Sequence, residues 1–383
     1  MPIDSNSQRQ EEQCKQWIPE QLKILEFIKE LVDQKKEPII HLEVIRVLRW
    51  HIFRGYSDIV RQKAIEIIYS IPDTYELRLI GVLVRSEDLD WFINNRVKID
   101  FASFNYNWTE QERRIQELCL TVIEKFLKRH PNAKEGVQVL NAELKAINIS
   151  GLDPEPWSFL DTLREVVEPK YAAKMCEAIV EAPDYPLATH LSSLVYRVRK
   201  FDVQLAINIA QNAVNTGLPI LCGSLAQKCW TWADNLQSED VELIKKLLAH
   251  NDVGVRRLAI QSLGSMKDIQ PKLVIRMALA VDIGDSIELA SGLYRVVHAK
   301  YGISPDVFTD EELKKLLTKL EPVAKIDESH ISEFLAYVSK RLPRSVVQLL
   351  LKRIELDEED KEGKYQRNVY RQVAFTSILR FSC

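Results

Sequence analysis

Residues 251–266 read Asn-Asp-Val-Gly-Val-Arg-Arg-Leu-Ala-Ile-Gln-Ser-Leu-Gly-Ser-Met and have the pattern of an amphipathic helix. Asn251 or Asp252 can cap this helix, because a short side-chain oxygen accepts a hydrogen bond from a free amide of the first turn. One face is apolar or small at spacings of three and four residues: Val255, Leu258, Ala259, Ser262 and Leu263. The preceding segment 240–250 has the same spacing, so the two predict a helical hairpin. One hairpin cannot bury both of its faces and needs neighbours.

The neighbouring hairpins are expected at a step of 33 residues. That step from Asp252 leads each time to a residue that suits a helix start, by capping or by the fixed φ of proline: Pro186, Pro219 and Asp285. The same step from Ala259 meets a small residue each time: Ser193, Ala226 and Gly292. A small residue at a fixed place lets the paired helix approach closely. The pattern predicts four stacked hairpins across residues 170–300.

The second helix of the hairpin resembles the second helix of a HEAT-type repeat. The matching residues are Asp252, Val255, Arg256, Ala259 and Leu263, and part of the motif recurs as Val60, Arg61 and Ala64. The resemblance is to HEAT-like, armadillo-type proteins with compact repeats of the bacterial kind. It implies an all-α, right-handed α-solenoid of antiparallel hairpins, in which the motif arginines Arg61 and Arg256 brace neighbouring repeats through acidic partners.

Length and composition fit an extended helical array. The chain has 383 residues, a formal net charge of −3, 12 glycines and 15 prolines, which leaves little room for many short strands and turns. At roughly 33–40 residues per hairpin, this length holds about nine or ten repeats. We expect a disordered tail at 1–16, N-terminal repeats at 17–150, and C-terminal repeats at 151–383 that continue the first half.

The cysteines and the hydropathy indicate a compartment. Six cysteines are scattered without close pairing, the first sixteen residues are polar, and no run of eighteen apolar residues occurs. These features predict a cytoplasmic protein with free thiols and no membrane association.

Motifs for common enzyme chemistry are missing from the sequence. It has no P-loop, no dinucleotide-binding glycine pattern, no His-Glu-x-x-His or Cys-x-x-Cys, and no Gly-x-Ser-x-Gly. We therefore predict no catalytic residue, no cofactor and no metal. An enzyme of the HEAT fold, either a DNA glycosylase or a chromophore lyase, stays as an alternative. The acidic net charge disfavours binding to duplex DNA, which depends on neutralising phosphates.

Positive charge on the second helices is the first candidate for a binding surface. In HEAT-like stacks these helices line the concave face, and a basic groove attracts acidic partners. The predicted basic ridge consists of Arg197, Arg199, Lys200, Lys228, Arg257 and Arg295. The alternative interpretation is an ordinary solvated face.

The second candidate is an irregular, aromatic segment at 94–108. Aromatic residues are enriched at binding hot spots, and long insertions in compact folds are often functional. The candidate partner-binding residues are Phe101, Phe104, Tyr106 and Trp108. An equally weighted alternative is that these side chains fold back between hairpins. We also expect an acidic loop at 355–362 and an apolar helix near 365–381.

Taken as a whole, the sequence predicts a non-catalytic scaffold or adaptor that binds another macromolecule, above all a protein, along its concave face. A second hypothesis is the sensor or regulatory portion of a larger signalling NTPase-type assembly. The apolar last segment is the feature that favours it, and a longer open reading frame would support it.

Overall fold

The structure is a computed structural model that describes residues 15–54, 57–84, 108–149, 157–184, 187–297, 302–323 and 328–359. Every regular element within these ranges is helical, and no strand occurs among them. The prediction of an all-α chain is confirmed. None of the helices in the described ranges is long and apolar enough to cross a membrane.

Eighteen α-helices follow one another along the described ranges. The first eight are α1 (Ile18–Gln34), α2 (Pro38–Arg54), α3 (Asp58–Ser70), α4 (Tyr75–Leu83), α5 (Trp108–Arg129), α6 (Ala133–Ile149), α7 (Trp157–Val166) and α8 (Pro169–Glu181). The other ten are α9 (Leu191–Arg199), α10 (Val203–Asn215), α11 (Pro219–Lys228), α12 (Ser238–Leu248), α13 (Val253–Gly264), α14 (Pro271–Ala280), α15 (Ile287–Val296), α16 (Asp310–Leu320), α17 (Glu328–Ser339) and α18 (Pro343–Glu359). Short 3₁₀ segments occupy Leu187–His190, Cys229–Asn235 and Pro305–Val307.

Local sequence explains where the helices begin. The Asp252 carboxylate accepts a hydrogen bond of 2.9 Å from the amide of Val255, which is an N-cap of the predicted kind. Pro219 is in the first turn of α11, as its fixed φ favours. The helix start predicted at Asp285 is displaced by one residue, because Ser286 caps α15 through the amide of Leu289. Pro186, the remaining predicted start, lies outside the described residues.

The chain divides into two compact units, residues 1–178 with 184–187 and residues 179–183 with 188–383. In the first unit, α1 packs on α3, and α2 packs on both α3 and α4. Further along this unit, α5 packs on α4 and α7. The predicted boundary at residues 150 and 151 lies outside the described residues.

In the second unit, most helices pack on the next helix but one. Helices α9, α11, α13 and α15 form one such series, and α10 packs on α12 beside it. Further along, α14 packs on α16 and α16 on α18. This alternation is what repeated hairpins require, since every second helix then occupies an equivalent position.

The small residues of the 33-residue pattern lie inside this packing. Ser193, Ala226, Ala259 and Gly292 are all buried. A Cβ atom at Gly292 would lie 3.3 Å from Cγ2 of Ile260 and 3.7 Å from the carbonyl oxygen of Arg257. Helix α15 therefore approaches α13 closely at a position where a larger side chain has no room.

Two predictions about the ends of elements are wrong. Helix α18 continues to Glu359, so the first part of the predicted acidic loop at 355–362 is helical. Trp108, which we assigned to the irregular aromatic segment, is the first residue of α5. Residues 360–383, with the predicted last helix, lie outside the described residues.

Candidate functional site

The most distinctive exposed surface of the second unit is the turn between α9 and α10. Leu194, Val195 and Val198 anchor α9 in the core. The amide of Phe201 donates to the carbonyl of Val198 at 3.0 Å, which closes the turn after α9. The aromatic side chain of Phe201 is left 62 % exposed at this turn.

Two cations lie over aromatic rings at this turn. Cζ of Arg197 is 5.0 Å from the ring centroid of Phe201, and Nζ of Lys200 is 4.8 Å from that of Tyr196. Exposed cation–π contacts are each worth only about 0.5–1 kcal/mol, but they restrict where the charges sit. We call Tyr196, Arg197, Lys200 and Phe201 the aromatic–basic turn. It combines two positive charges with an apolar, solvent-exposed ring.

One acidic residue belongs to the same loop. Asp202 is exposed and caps α10, with its Oδ1 accepting from the amide of Leu205 at 2.9 Å. This hydrogen bond directs the carboxylate towards the free amides of the helix, where negative charge is favourable.

Arg199 is buried and therefore does not belong to an exposed basic ridge. Its side chain is only 7 % exposed and pairs with Asp240, which is 1 % exposed, at 3.0 Å and 2.6 Å. It also donates to the carbonyl oxygen of Asn235 at 2.6 Å, with its guanidinium 5.9 Å from the ring of Trp232. The prediction of a partner-binding role for Arg199 is corrected, because a buried, paired guanidinium cannot meet a partner.

The remaining residues of the basic ridge are spread over the stacked helices. Nζ of Lys228 donates to Oγ of Ser193 at 2.7 Å and thereby joins α11 to α9. Arg257 and Arg295 are exposed, but Arg257 lies near the start of α13 and Arg295 near the end of α15. These cations lie at different levels along their helices and do not share one position in the repeat. For Arg257 and Arg295 a binding role stays a prediction.

The motif arginines act within the fold. Nη1 of Arg256 donates at 3.3 Å to the main-chain carbonyl of Asp282, in the connection that precedes α15. It thus joins α13 to this connection through a main-chain oxygen, whereas the resemblance implies an acidic side chain as the partner. Arg61 pairs with Asp58 in the first turn of its own helix at 3.3 Å.

The structure describes only one of the four candidate residues of the aromatic segment. Phe101, Phe104 and Tyr106 lie outside the described residues, and Trp108 is the first residue of α5. A binding role for these four residues stays a prediction.

The described cysteines Cys119, Cys176, Cys222 and Cys229 are all buried. Burial raises the pKa of the Cys119 and Cys229 thiols to about 11, and it also raises the pKa of Cys176. A protonated thiol is a poor nucleophile and a poor metal ligand. Within the described ranges no group of three His, Cys, Asp or Glu side chains is close enough to hold a metal ion.

Two surfaces were missed by reasoning from the sequence. Phe201 and Tyr196 lie at the two ends of the run Tyr-Arg-Val-Arg-Lys-Phe at 196–201, with three basic residues between them. These flanking aromatic residues were the available signal. The second surface is an apolar stripe along α1 and its N-cap residue Trp17, where Trp17 and Phe27 are 63 % and 65 % exposed. Its signal is the seven-residue spacing of Trp17, Ile24 and Leu31.

The comparisons with known proteins give no relative. No family model matches the chain, and no match is found among curated proteins or among solved structures.

Proposed function

We propose that this chain is a HEAT-like repeat scaffold without a catalytic role, and that it binds an acidic segment of a protein partner at the aromatic–basic turn. The repeat assignment is supported by the alternate packing of α9, α11, α13 and α15, together with the 33-residue step. In a right-handed solenoid of this kind, these second helices line the concave face. The aromatic–basic turn follows directly from α9, the first helix of that series.

The single observation that carries the proposal is the exposed ring of Phe201 beneath the guanidinium of Arg197. An aromatic side chain supplies contact area at little entropic cost, and arginine with an aromatic is a frequent combination at hot spots. A guanidinium can also donate two parallel hydrogen bonds to one carboxylate. Together with Lys200, these groups suit a peptide that carries acidic residues next to an apolar one.

The charge of the turn favours a protein over duplex nucleic acid. Tight binding to a duplex depends on many phosphate contacts, whereas the aromatic–basic turn offers two cations in a chain of net charge −3. Two cations and an apolar ring are enough to specify a short acidic motif. Arg257 and Arg295 add two exposed cations, on α13 and α15.

The test is a capture experiment with matched variants. Tagged full-length protein is incubated with lysate of its own host, with and without nuclease. The test variant combines Lys200→Glu with Phe201→Ala. The control combines Lys272→Glu with Ile269→Ala. Lys272 is an exposed cation in the first turn of α14, and Ile269 is an exposed apolar residue just before that helix. Both variants change the charge by the same amount and remove one apolar side chain.

We expect the wild type and the control to capture a protein partner whose binding survives nuclease treatment. The test variant should capture at least tenfold less of this partner. Binding of the purified partner should weaken with rising salt, because charge attraction is screened. Retention of every partner by a folded test variant contradicts the proposal. Loss of all partners on nuclease treatment contradicts the assignment to a protein.

A further inference from the structure

The first hairpin has an exposed apolar side. Leu25, Ile28 and Val32 of α1 are buried, and α1 packs on α3. The flank next to this core carries Trp17, Ile24 and Phe27, whose side chains are 63 %, 51 % and 65 % exposed. With the half-buried Leu31, they form the first-helix stripe.

A groove widens this apolar surface. It has a volume of about 270 Å³ and lies between α1 and α2, lined by Ile28, Leu31, Ile39, Ile40, Glu43, Val44 and Val47. Six of its seven lining residues are aliphatic. Exposed apolar side chains that lie together on one surface mark an interaction site, and here the stripe adjoins an apolar groove.

The spacing of the stripe identifies the kind of element that fits it. Trp17, Ile24 and Leu31 are seven residues apart, and Phe27 lies three residues after Ile24. These are the a and d positions of a heptad, the pattern by which one helix packs along another. The complementary surface is therefore a helix with a similar stripe.

The charges beside the stripe are complementary to those of a second copy of α1 that runs antiparallel to the first. If Ile24 of one copy packs beside Phe27 of the other, the two-fold axis between the copies also places Phe27 of the first beside Ile24 of the second. Lys23 and Glu30 then occupy the flanking g positions, so Lys23 of each copy faces Glu30 of the other. Both side chains are exposed.

A parallel pair is disfavoured by Glu20. This residue occupies a d position within the stripe, and a parallel pair would set two Glu20 carboxylates side by side. The antiparallel pair instead sets Glu20 beside Leu31, where the carboxylate reaches solvent at the edge. We propose that the chain forms a two-fold symmetric homodimer through antiparallel pairing of its first-helix stripes. Two-fold dimers are the commonest assemblies of soluble proteins.

The test measures the mass of the full-length protein by sedimentation equilibrium over a wide concentration range. We expect a concentration-dependent species of twice the 44.3 kDa chain mass. Phe27→Lys should leave monomer only, because it places two cations in the apolar centre. Lys23→Glu and Glu30→Lys, each alone, should weaken the dimer by about tenfold, since each replaces two attractive pairs by two repulsive ones.

Combining Lys23→Glu with Glu30→Lys should restore wild-type association, because the pairs are then reversed. The matched control combines Glu26→Lys with Lys29→Glu, two exposed residues of α1 that lie off the stripe. It should associate like the wild type, and circular dichroism should show that every variant is folded. A wild type that stays monomeric, a dimer that tolerates Phe27→Lys, or a double exchange as weak as its single exchanges would overturn the proposal.

Discussion

Arg199 and Asp240 form a buried ion pair across 41 residues of sequence. The arginine belongs to α9 and the aspartate to the first turn of α12. Asp240 also accepts a hydrogen bond of 2.8 Å from the amide of Gln237, so one carboxylate caps α12 and neutralises Arg199. The partner-binding role expected for Arg199 thus gives way to a structural one.

Removing one member of this pair should be strongly destabilising. Asp240→Ala leaves the buried guanidinium without its anion, and we expect a loss of about 3–5 kcal/mol in the free energy of unfolding. The double variant Arg199→Met with Asp240→Leu should lose less than the sum of its single changes. Urea denaturation followed by circular dichroism measures both.

The control for this experiment is an exposed pair in the same unit. Lys245 and Glu242 of α12 form a contact of 2.6 Å, with side chains more than half exposed. Breaking it should cost at most about 0.5 kcal/mol, because water already solvates both charges. Equal losses for the two pairs would show that burial does not govern the stability of the Arg199–Asp240 pair.

The two glycines within α11 and α15 should respond oppositely to added side chains. A Cβ at Gly223 meets only ordinary contacts, the nearest being Cδ1 of Leu258 at 3.7 Å. Gly223→Ala should therefore stabilise the protein by about 1 kcal/mol, through the better helix propensity of alanine. Gly292→Leu should destabilise it by about 1–3 kcal/mol, because Ile260 already fills the space.

Thermal and urea unfolding of these variants measure both effects. Adding Ile260→Ala to Gly292→Leu should recover part of the loss, since it makes room for the new side chain. A Gly292→Leu protein as stable as the wild type would mean that α13 and α15 are not closely packed at this position.

The buried thiols should be protected from alkylation. In a variant with Cys14→Ser and Cys383→Ser, the four remaining cysteines are all buried. Burial raises their pKa values, so little thiolate is present at pH 8. We expect iodoacetamide to react at least about 100-fold more slowly with the folded protein than with the urea-unfolded chain. Mass spectrometry would identify any thiol that departs from this behaviour.

Glu143 should make stability depend on pH in a defined direction. Burial, with a further contribution from the charge of Glu76, raises the pKa of Glu143 in the folded protein above its usual range. The stability linked to its protonated form is present below the pKa of the unfolded chain and is lost as pH rises through the folded pKa. Glu143→Gln should therefore stabilise the protein at pH 7, by about 0.5 kcal/mol.

The same variant contains its own control at low pH. Below about pH 4, where the carboxyl of the unfolded chain is protonated as well, the two proteins should have equal stability. Urea denaturation between pH 3 and pH 8 measures the difference. A difference that is constant with pH would contradict an ionisation origin.

Residues 251–266 predict their helix well because the signals are local. Capping by Asp252 depends on a side chain and an amide three residues away, and the buried face follows from helical spacing. The 33-residue step predicts the burial of Ser193, Ala226, Ala259 and Gly292 because equivalent helices pack in equivalent ways. Helix ends are harder to predict, since Ser286 and Asp285 are equally good caps in the sequence.

The exposed surface is predicted less well, because charge in a sequence does not reveal its partner. Arg197, Arg199 and Lys200 look alike in the run at 196–201, yet Arg199 alone is buried. What decides this is Asp240, brought next to it by the packing of the intervening helices. The stripe on α1 was missed for the opposite reason: its apolar residues look like core until the fold leaves them uncovered.

Repeat arrays can usually be cut between any two hairpins, since each hairpin contacts only its neighbours. In this chain, the buried ion pair between Arg199 and Asp240 would make a cut between α9 and α12 costly. A fragment with a terminus between residues 200 and 239 would separate a buried cation from its anion. The segment from α9 to α12 is therefore the smallest fragment that contains both charges of the pair. A truncated or rearranged chain should keep this segment intact.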